Sequence, residues 1–249
     1  CYKACKAVHK LVELGGPHRV AVGACATSLA KVLSAQGKNA SVADSCARVV
    51  GAALKEAPGN RDPFGLEGLC EGLGSALVAH EGRDKIVLSL CKAMVSLVHG
   101  GHAVNQSRLQ SGAAEGLSRA LLAQAGAPKA CSSVLKTIAA VSAESEGARE
   151  AFRPTGVPGY LLESLKATEG PTSEVLMVTA FLLSPEDGGS GQGLYDDMMR
   201  ALSSLCEEAS SGHVQQRAKS AFARVRRRGR PVSQSKSLSS TTSGSIVDG

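Results

Sequence analysis

Tryptophan is absent from this sequence, and aromatic residues of all kinds reach only 3%. A β-sandwich or barrel draws heavily on Tyr, Phe, Ile and Thr, so an all-β core is a poor fit to this composition. No stretch approaches the ~18 uninterrupted apolar residues of a membrane-spanning helix. The eight cysteines include no C-x-x-C pair, which removes the commonest zinc and dithiol patterns. His99 and His102 lie close together downstream of Cys91, but the other two ligands are not evident, and zinc needs four in a defined arrangement. The glycine-rich run 188–193 lacks the flanking strand and the Lys-Ser/Thr pair of a phosphate loop, and reads as a flexible connection. No Ser/His/Asp or Cys/His constellation stands out. The expectation is a protein without catalytic residues, metal, cofactor or small-molecule substrate.

What the sequence does have is a period. A small residue followed at fixed distance by two leucines recurs as Ala24–Leu29–Leu33, Gly68–Leu73–Leu77, Gly112–Leu117–Leu121 and Gly156–Leu161–Leu165, each copy 44 residues after the last. A looser copy follows at Gly193–Met198–Leu202. Periods of this size mark repeat architectures, in which one unit cannot bury its apolar face until the next stacks on it. Hydrophobic residues make up 43% of the chain, mostly Ala, Leu and Val, which suits closely packed helices.

The segments between the turn signals have helical spacing. Residues 3–14 place Cys5, Val8, Leu11 and Val12 on one face and end at Gly15-Gly16-Pro17. Equivalent apolar stripes run through 44–55 (Cys46, Val49, Val50, Leu54), 84–98 (Ile86, Leu90, Cys91, Met94, Val95), 131–141 (Val134, Leu135, Ile138) and 174–183 (Leu176, Met177, Ala180, Phe181). Cys5, Cys46, Cys91 and Cys131 each open such a stripe, the place of a small buried residue rather than of a disulfide. A reducing compartment, cytoplasm or nucleus, is expected on that ground. In the third unit a short helix is expected to stop at Gly112 before a second begins. The chain opens at Cys1 inside what reads as the last helix of a repeat, so a longer protein is expected upstream. The expected organisation is an array over 1–225, about five units with the first truncated, and a disordered tail over 226–249 that is basic, then Ser/Thr-rich.

A unit of this length, with a short helix, a glycine-centred turn, a second helix and a longer third, resembles the armadillo repeat. The clearest copy is Asn105–Gly112–Leu117–Leu121 followed by Val134–Leu135–Ile138, and the resemblance covers residues 3 to 225. Arg61-Asp62-Pro63-Phe64-Gly65 and Ser89-Leu90-Cys91-Lys92-Ala93-Met94 are similar to stretches of armadillo repeat-containing proteins of animals and protists. The resemblance implies an all-α fold, a right-handed superhelical α-solenoid of three-helix repeats, whose third helices pave a concave surface that holds a segment of a protein partner. In the family members that carry nuclear-localisation peptides, Trp and Asn rungs line that surface. Here the corresponding places are Ala7, Arg48, Ala93, Ser133, Leu176 and Ser220, and Leu11, Ala52, Leu97, Thr137, Ala180 and Arg224. Without tryptophan that ladder is missing, and a groove of small and apolar residues with Arg48 and Arg224 suits an amphipathic or acidic segment instead. Some relatives act as co-chaperones of Hsp70, a further function the resemblance allows.

The net charge of +6 is uneven, since Arg224, Arg226, Arg227, Arg228, Arg230 and Lys236 hold most of it and leave the body near neutral. Arg228-Gly229-Arg230-Pro231 resembles the core of an A·T-hook, in which arginines lie along a narrow minor groove. The same run reads equally as a nuclear-localisation signal, a patch for acidic partners, a kinase site at Ser233, or a helix end whose arginines favour the carbonyl pole. The functional expectation is a non-catalytic scaffold for a protein partner. A nucleic-acid or chromatin adaptor using this tail is the alternative.

Overall fold

The computed structural model describes residues 2–66, 68–143, 146–167, 172–183, 192–208 and 212–228. Among them there is helix and turn but no strand. The helices are α1 (Tyr2–Glu13), α2 (Pro17–Val22), α3 (Ala26–Gln36), α4 (Ala40–Glu56), α5 (Arg61–Leu66), α6 (Leu69–Ala79), α7 (Asp84–Val98), α8 (Ala103–Ala123), α9 (Pro128–Ser142), α10 (Glu146–Phe152), α11 (Val157–Lys166), α12 (Ser173–Leu182), α13 (Gln192–Glu208) and α14 (Gly212–Arg228). No helix among the described residues is long and apolar enough to cross a membrane.

The helices pack in two rows. α1, α4, α7, α9, α12 and α14 touch in that order, and α3, α6, α8, α11 and α13 form a second row. The rows are joined within each unit by α3 on α4, α6 on α7, α8 on α9, α11 on α12 and α13 on α14. Leu29, Leu33, Leu73, Leu77, Leu117, Leu121, Leu161 and Leu165, the leucines of the 44-residue pattern, are all buried, and one core runs through the chain. The stripes with Cys5, Cys46, Cys91 and Cys131 are largely buried with them, Val8 and Val95 being half-buried. Leu11 departs from its stripe and is 48% exposed, because Val12 takes the inward place.

Local chemistry sets the helix ends. Asn39 precedes α4, and its Oδ1 accepts from the backbone N–H groups of Ser41 and Val42 at 3.1 and 3.3 Å. Thr172 does the same for α12, accepting from Val175 N–H at 3.3 Å. Gly68 has φ 69°, the left-handed conformation glycine adopts without strain, and it separates α5 from α6.

Gly112 was the expected break in the third unit, and the structure overturns that expectation: α8 runs unbroken from Ala103 to Ala123. Glycine serves close approach here instead. A Cβ on Gly74 would run into the backbone of Gly112 and Ala113, and one on Gly116 would lie 2.7 Å from the Gly74 carbonyl oxygen. α6 and α8 therefore meet backbone against backbone. The helix boundary at the far end also differs: α14 continues to Arg228, so Arg226, Arg227 and Arg228 extend a helix instead of beginning a tail. Arginine is a good helix former, and its charge complements the carbonyl end of the helix.

Side chains bind successive units at the same period. Asn105 Nδ2 donates to the carbonyls of Arg61 and Leu97 at 3.0 and 3.1 Å. Asn60 Nδ2 donates to those of Arg19 and Ala53 at 2.6 and 3.4 Å. Beneath each asparagine lies a glycine, Gly65 and Gly23, whose Cβ would collide with the carboxamide oxygen. On the opposite loops His80 Nε2 pairs with the Gly37 carbonyl at 2.9 Å, and Gln124 Nε2 donates to that of Glu81 at 2.8 Å.

Candidate partner-binding surface

The row α1–α4–α7–α9–α12–α14 presents one face to the core and one to solvent. The twelve places aligned with the missing ladder divide on this criterion, Ala7 and Leu11 on α1 being exposed. Ala93, Leu97 and Thr137 are fully buried, and Leu176 and Ala180 are 2% and 1% exposed. These five pack inside the stack, which corrects their assignment to the partner-facing surface. Ala93 and Thr137 sit one position round the helix from exposed Lys92 and Lys136, a rotation of about 100°. Arg48, Ser220 and Arg224 are exposed, and Ala52 and Ser133 are half-buried.

The outward positions on α7 and α9 are Lys92 and Lys136, both exposed. They stand 44 and 88 residues after Arg48, and two further steps of 44 reach buried Ala180 and exposed Arg224. The 44-residue step that located the leucines would have found this cation row had it been started from Arg48. Beside it run Ser45, Ser89 and Ser133, and Ala52, Ser96 and Ala140, also 44 apart, so the surface between the cations is paved with small side chains.

Polar contacts tie neighbouring helices across this face. Ser89 Oγ donates to Asp44 Oδ1 at 2.6 Å and links α7 to α4. Ser132 Oγ donates to Glu174 Oε1 at 3.3 Å, and Lys136 Nζ lies 3.4 Å from the same oxygen, linking α9 to α12. Burial pushes the Glu174 carboxyl up, but its own backbone N–H, Ser173 and Lys136 together hold it below the usual carboxylate range. The Arg224 guanidinium stacks 5.8 Å from the Phe181 ring centroid, between α14 and α12. Among the described residues neither Arg48 nor Lys92 has an ion pair.

At the α1 end the face deepens into a cleft of about 320 Å³ between α1 and α4, lined by Tyr2, Lys6, His9, Lys10, Glu13, Ser41, Asp44, Ser45 and Arg48. Charge is segregated accordingly. α1, α4, α7 and α9 carry nine Lys or Arg against four Asp or Glu. The facing row α3, α6, α8 and α11 carries four against three. A body that is nearly neutral in sum thus has a basic side.

The thiols behave as packing groups. Cys5 and Cys46 Sγ atoms are 3.5 Å apart between α1 and α4, and the described cysteines are free. Burial pushes the Cys91 thiol up to about 11, more than the hydrogen bonds from Thr137 and Ser133 offset. Burial also pushes the Cys70 thiol up to about 12. A thiol held protonated is a poor nucleophile. His99 closes α7 and His102 precedes α8, where its Nε2 lies 2.8 Å from Asp62 Oδ1. The run 188–191 and Arg230 lie outside the described residues, as do the side chains of Arg226, Arg227 and Arg228.

The all-helical architecture is shared with an engineered protein of known crystal structure. The two are 15% identical, align over 92% of this chain and 91% of that one, and superpose with a TM-score of 0.67. At that identity the likeness shows the fold alone. No protein-family model and no curated protein matches the sequence.

Proposed function

We propose that the chain is a non-catalytic scaffold, a right-handed superhelical α-solenoid of armadillo-like three-helix repeats, that holds a segment of a protein partner across its α1–α4–α7–α9–α12–α14 face. The observation that carries the reading is the asymmetry of the two rows. One presents in-register cations, small side chains between them and a cleft at its end, and the other lacks this charge excess. Recognition of an extended or helical segment by such a face needs only shape, charge and polar side chains. Amine crosslinking of the full chain bound to lysate proteins, followed by peptide mapping, tests it. Crosslinks at Lys6, Lys92 and Lys136 are expected. Crosslinks confined to Lys31 of α3 and Lys166 of α11 would place the partner on the opposite row and overturn the reading.

A further inference from the structure

We infer that the cation row takes an extended acidic segment of another protein, with carboxylates recurring at every third residue. This rests on the scaffold reading and specifies its occupant. Arg48, Lys92 and Lys136 occupy the same register on α4, α7 and α9, three helices that touch in succession. Packed helix axes lie about 8–10 Å apart, so the cations are offered at about that interval. A polyproline-II segment advances about 3.1 Å per residue and has three residues per turn, so every third side chain falls on one side at about 9 Å steps. The two spacings agree, and one carboxylate meets one cation per unit. Arg48 and Lys92 have no ion pair among the described residues, so neither has to give up an acidic partner to bind, whereas Lys136 would exchange Glu174 for the carboxylate of the segment.

The ground between the cations suits a backbone. Ser45 is buried and the Ser89 hydroxyl is held by Asp44, so the ground is low, and none of the paving residues projects far enough to block a chain lying across the helices. The α1–α4 cleft continues the row at Arg48, and there Lys6 and Lys10 stand with Glu13 and Asp44, so the cation excess falls off toward this end. A single-stranded nucleic acid is the poorer occupant, since its bases stack on aromatic side chains. The paving at Arg48, Lys92 and Lys136 is serine and alanine.

The test uses the full chain and fluorescence anisotropy of a labelled peptide of four Glu-Pro-Pro triplets. A second peptide of the same composition, with its glutamates grouped at one end, serves as comparison. The spaced peptide is expected to bind more tightly. The pair Arg48→Glu and Lys92→Glu should weaken it by roughly tenfold, a fewfold for each exposed charge pair replaced by repulsion. Arg48→Gln with Lys92→Gln should fall between, and Lys31→Glu on α3 should leave binding unchanged. Equal affinity for the two peptides, or equal loss with Lys31→Glu, would reduce the effect to net charge and overturn the inference. Tighter binding of a labelled oligo-dT that displaces the peptide would overturn it in favour of nucleic acid. If the spaced peptide fails to bind while partner crosslinks still map to Lys6, Lys92 and Lys136, the acidic segment is refuted and the scaffold stands. Loss of those crosslinks refutes the scaffold itself.

Discussion

Replacing Asn105 by leucine isolates the hydrogen bonds that join one unit to the next. Asn105 is fully buried, and its Nδ2 serves two carbonyls, one from α5 and one from the last turn of α7. Its Oδ1 has no partner among the described residues, so the donor carries the value of the side chain. Leucine is close in volume, so little packing is lost. A buried carbonyl left without a donor costs about 1–3 kcal/mol; Leu97, in the last turn of α7, is stranded, whereas Arg61 at the start of α5 keeps its helical donor, so the loss is about 1–3 kcal/mol. Asn105→Asp should cost more, because a carboxylate oxygen then faces the same two carbonyls without a proton to share. The loss is large against a domain stability of about 5–15 kcal/mol. Urea unfolding followed by circular dichroism would read it: with a slope of about 1–3 kcal/mol/M, the midpoint should move by about 1 M. Asn39→Ala, which removes an exposed helix cap, is the scale marker at about 1 kcal/mol. If Asn105→Leu lies within ~0.5 kcal/mol of the parent, or if Asn105→Asp is no worse, the carbonyls do not depend on this donor and the reasoning fails.

Three further outcomes are expected. Gly116→Ala should destabilise by about 1–3 kcal/mol despite alanine's better helix propensity, because the new Cβ meets the Gly74 carbonyl, whereas Gly159→Ala in α11, with nothing within 4 Å, should stabilise by about 0.5–1 kcal/mol; thermal melts of both decide it. Leu121→Ala should cost about 2–5 kcal/mol in urea unfolding and its neighbour Leu122→Ala much less, since Leu121 is fully buried and Leu122 is 50% exposed. The raised Cys91 thiol stays protonated in the folded chain while the unfolded chain ionises from about pH 9, so stability that is complete below that pH should drain away up to about pH 11, by on the order of 1–3 kcal/mol; an unfolding series over pH 8–11 that shows the same slope in Cys91→Ala would rule this thiol out.

The period made the leucines and the order of helices legible, because burial repeats with the helix and the helix repeats with the unit. The asparagine clamps were hidden for a different reason. Asn60 and Asn105 act through main-chain carbonyls of Arg19, Ala53, Arg61 and Leu97, and a carbonyl leaves no mark in a sequence. The visible trace was Arg19-x-x-x-Gly23 matched by Arg61-x-x-x-Gly65, with an asparagine one unit further on. Gly112 misled because the same residue type serves a turn at Gly68 and a close contact at α6–α8, and only the neighbouring helix distinguishes them. For the surface, alignment to a tryptophan ladder that this chain lacks placed five candidates inside the core. Summing charge over the whole body averaged away the difference between its two sides.

The backbone contact between α6 and α8 gives the array an uneven stiffness. Side chains between two helices can change rotamer and let the helices slide, as Leu122 can where it lies over Gly156. Gly74, Gly112 and Gly116 leave no such slack. The joint between the second and third units is therefore expected to be stiffer than the one between the third and fourth, where Leu122 can move. Across that joint, on the other row, stand Lys92 and Lys136. On the proposed reading, their separation would be the fixed gauge of the surface, against which a partner's spacing is measured, while the ends adapt.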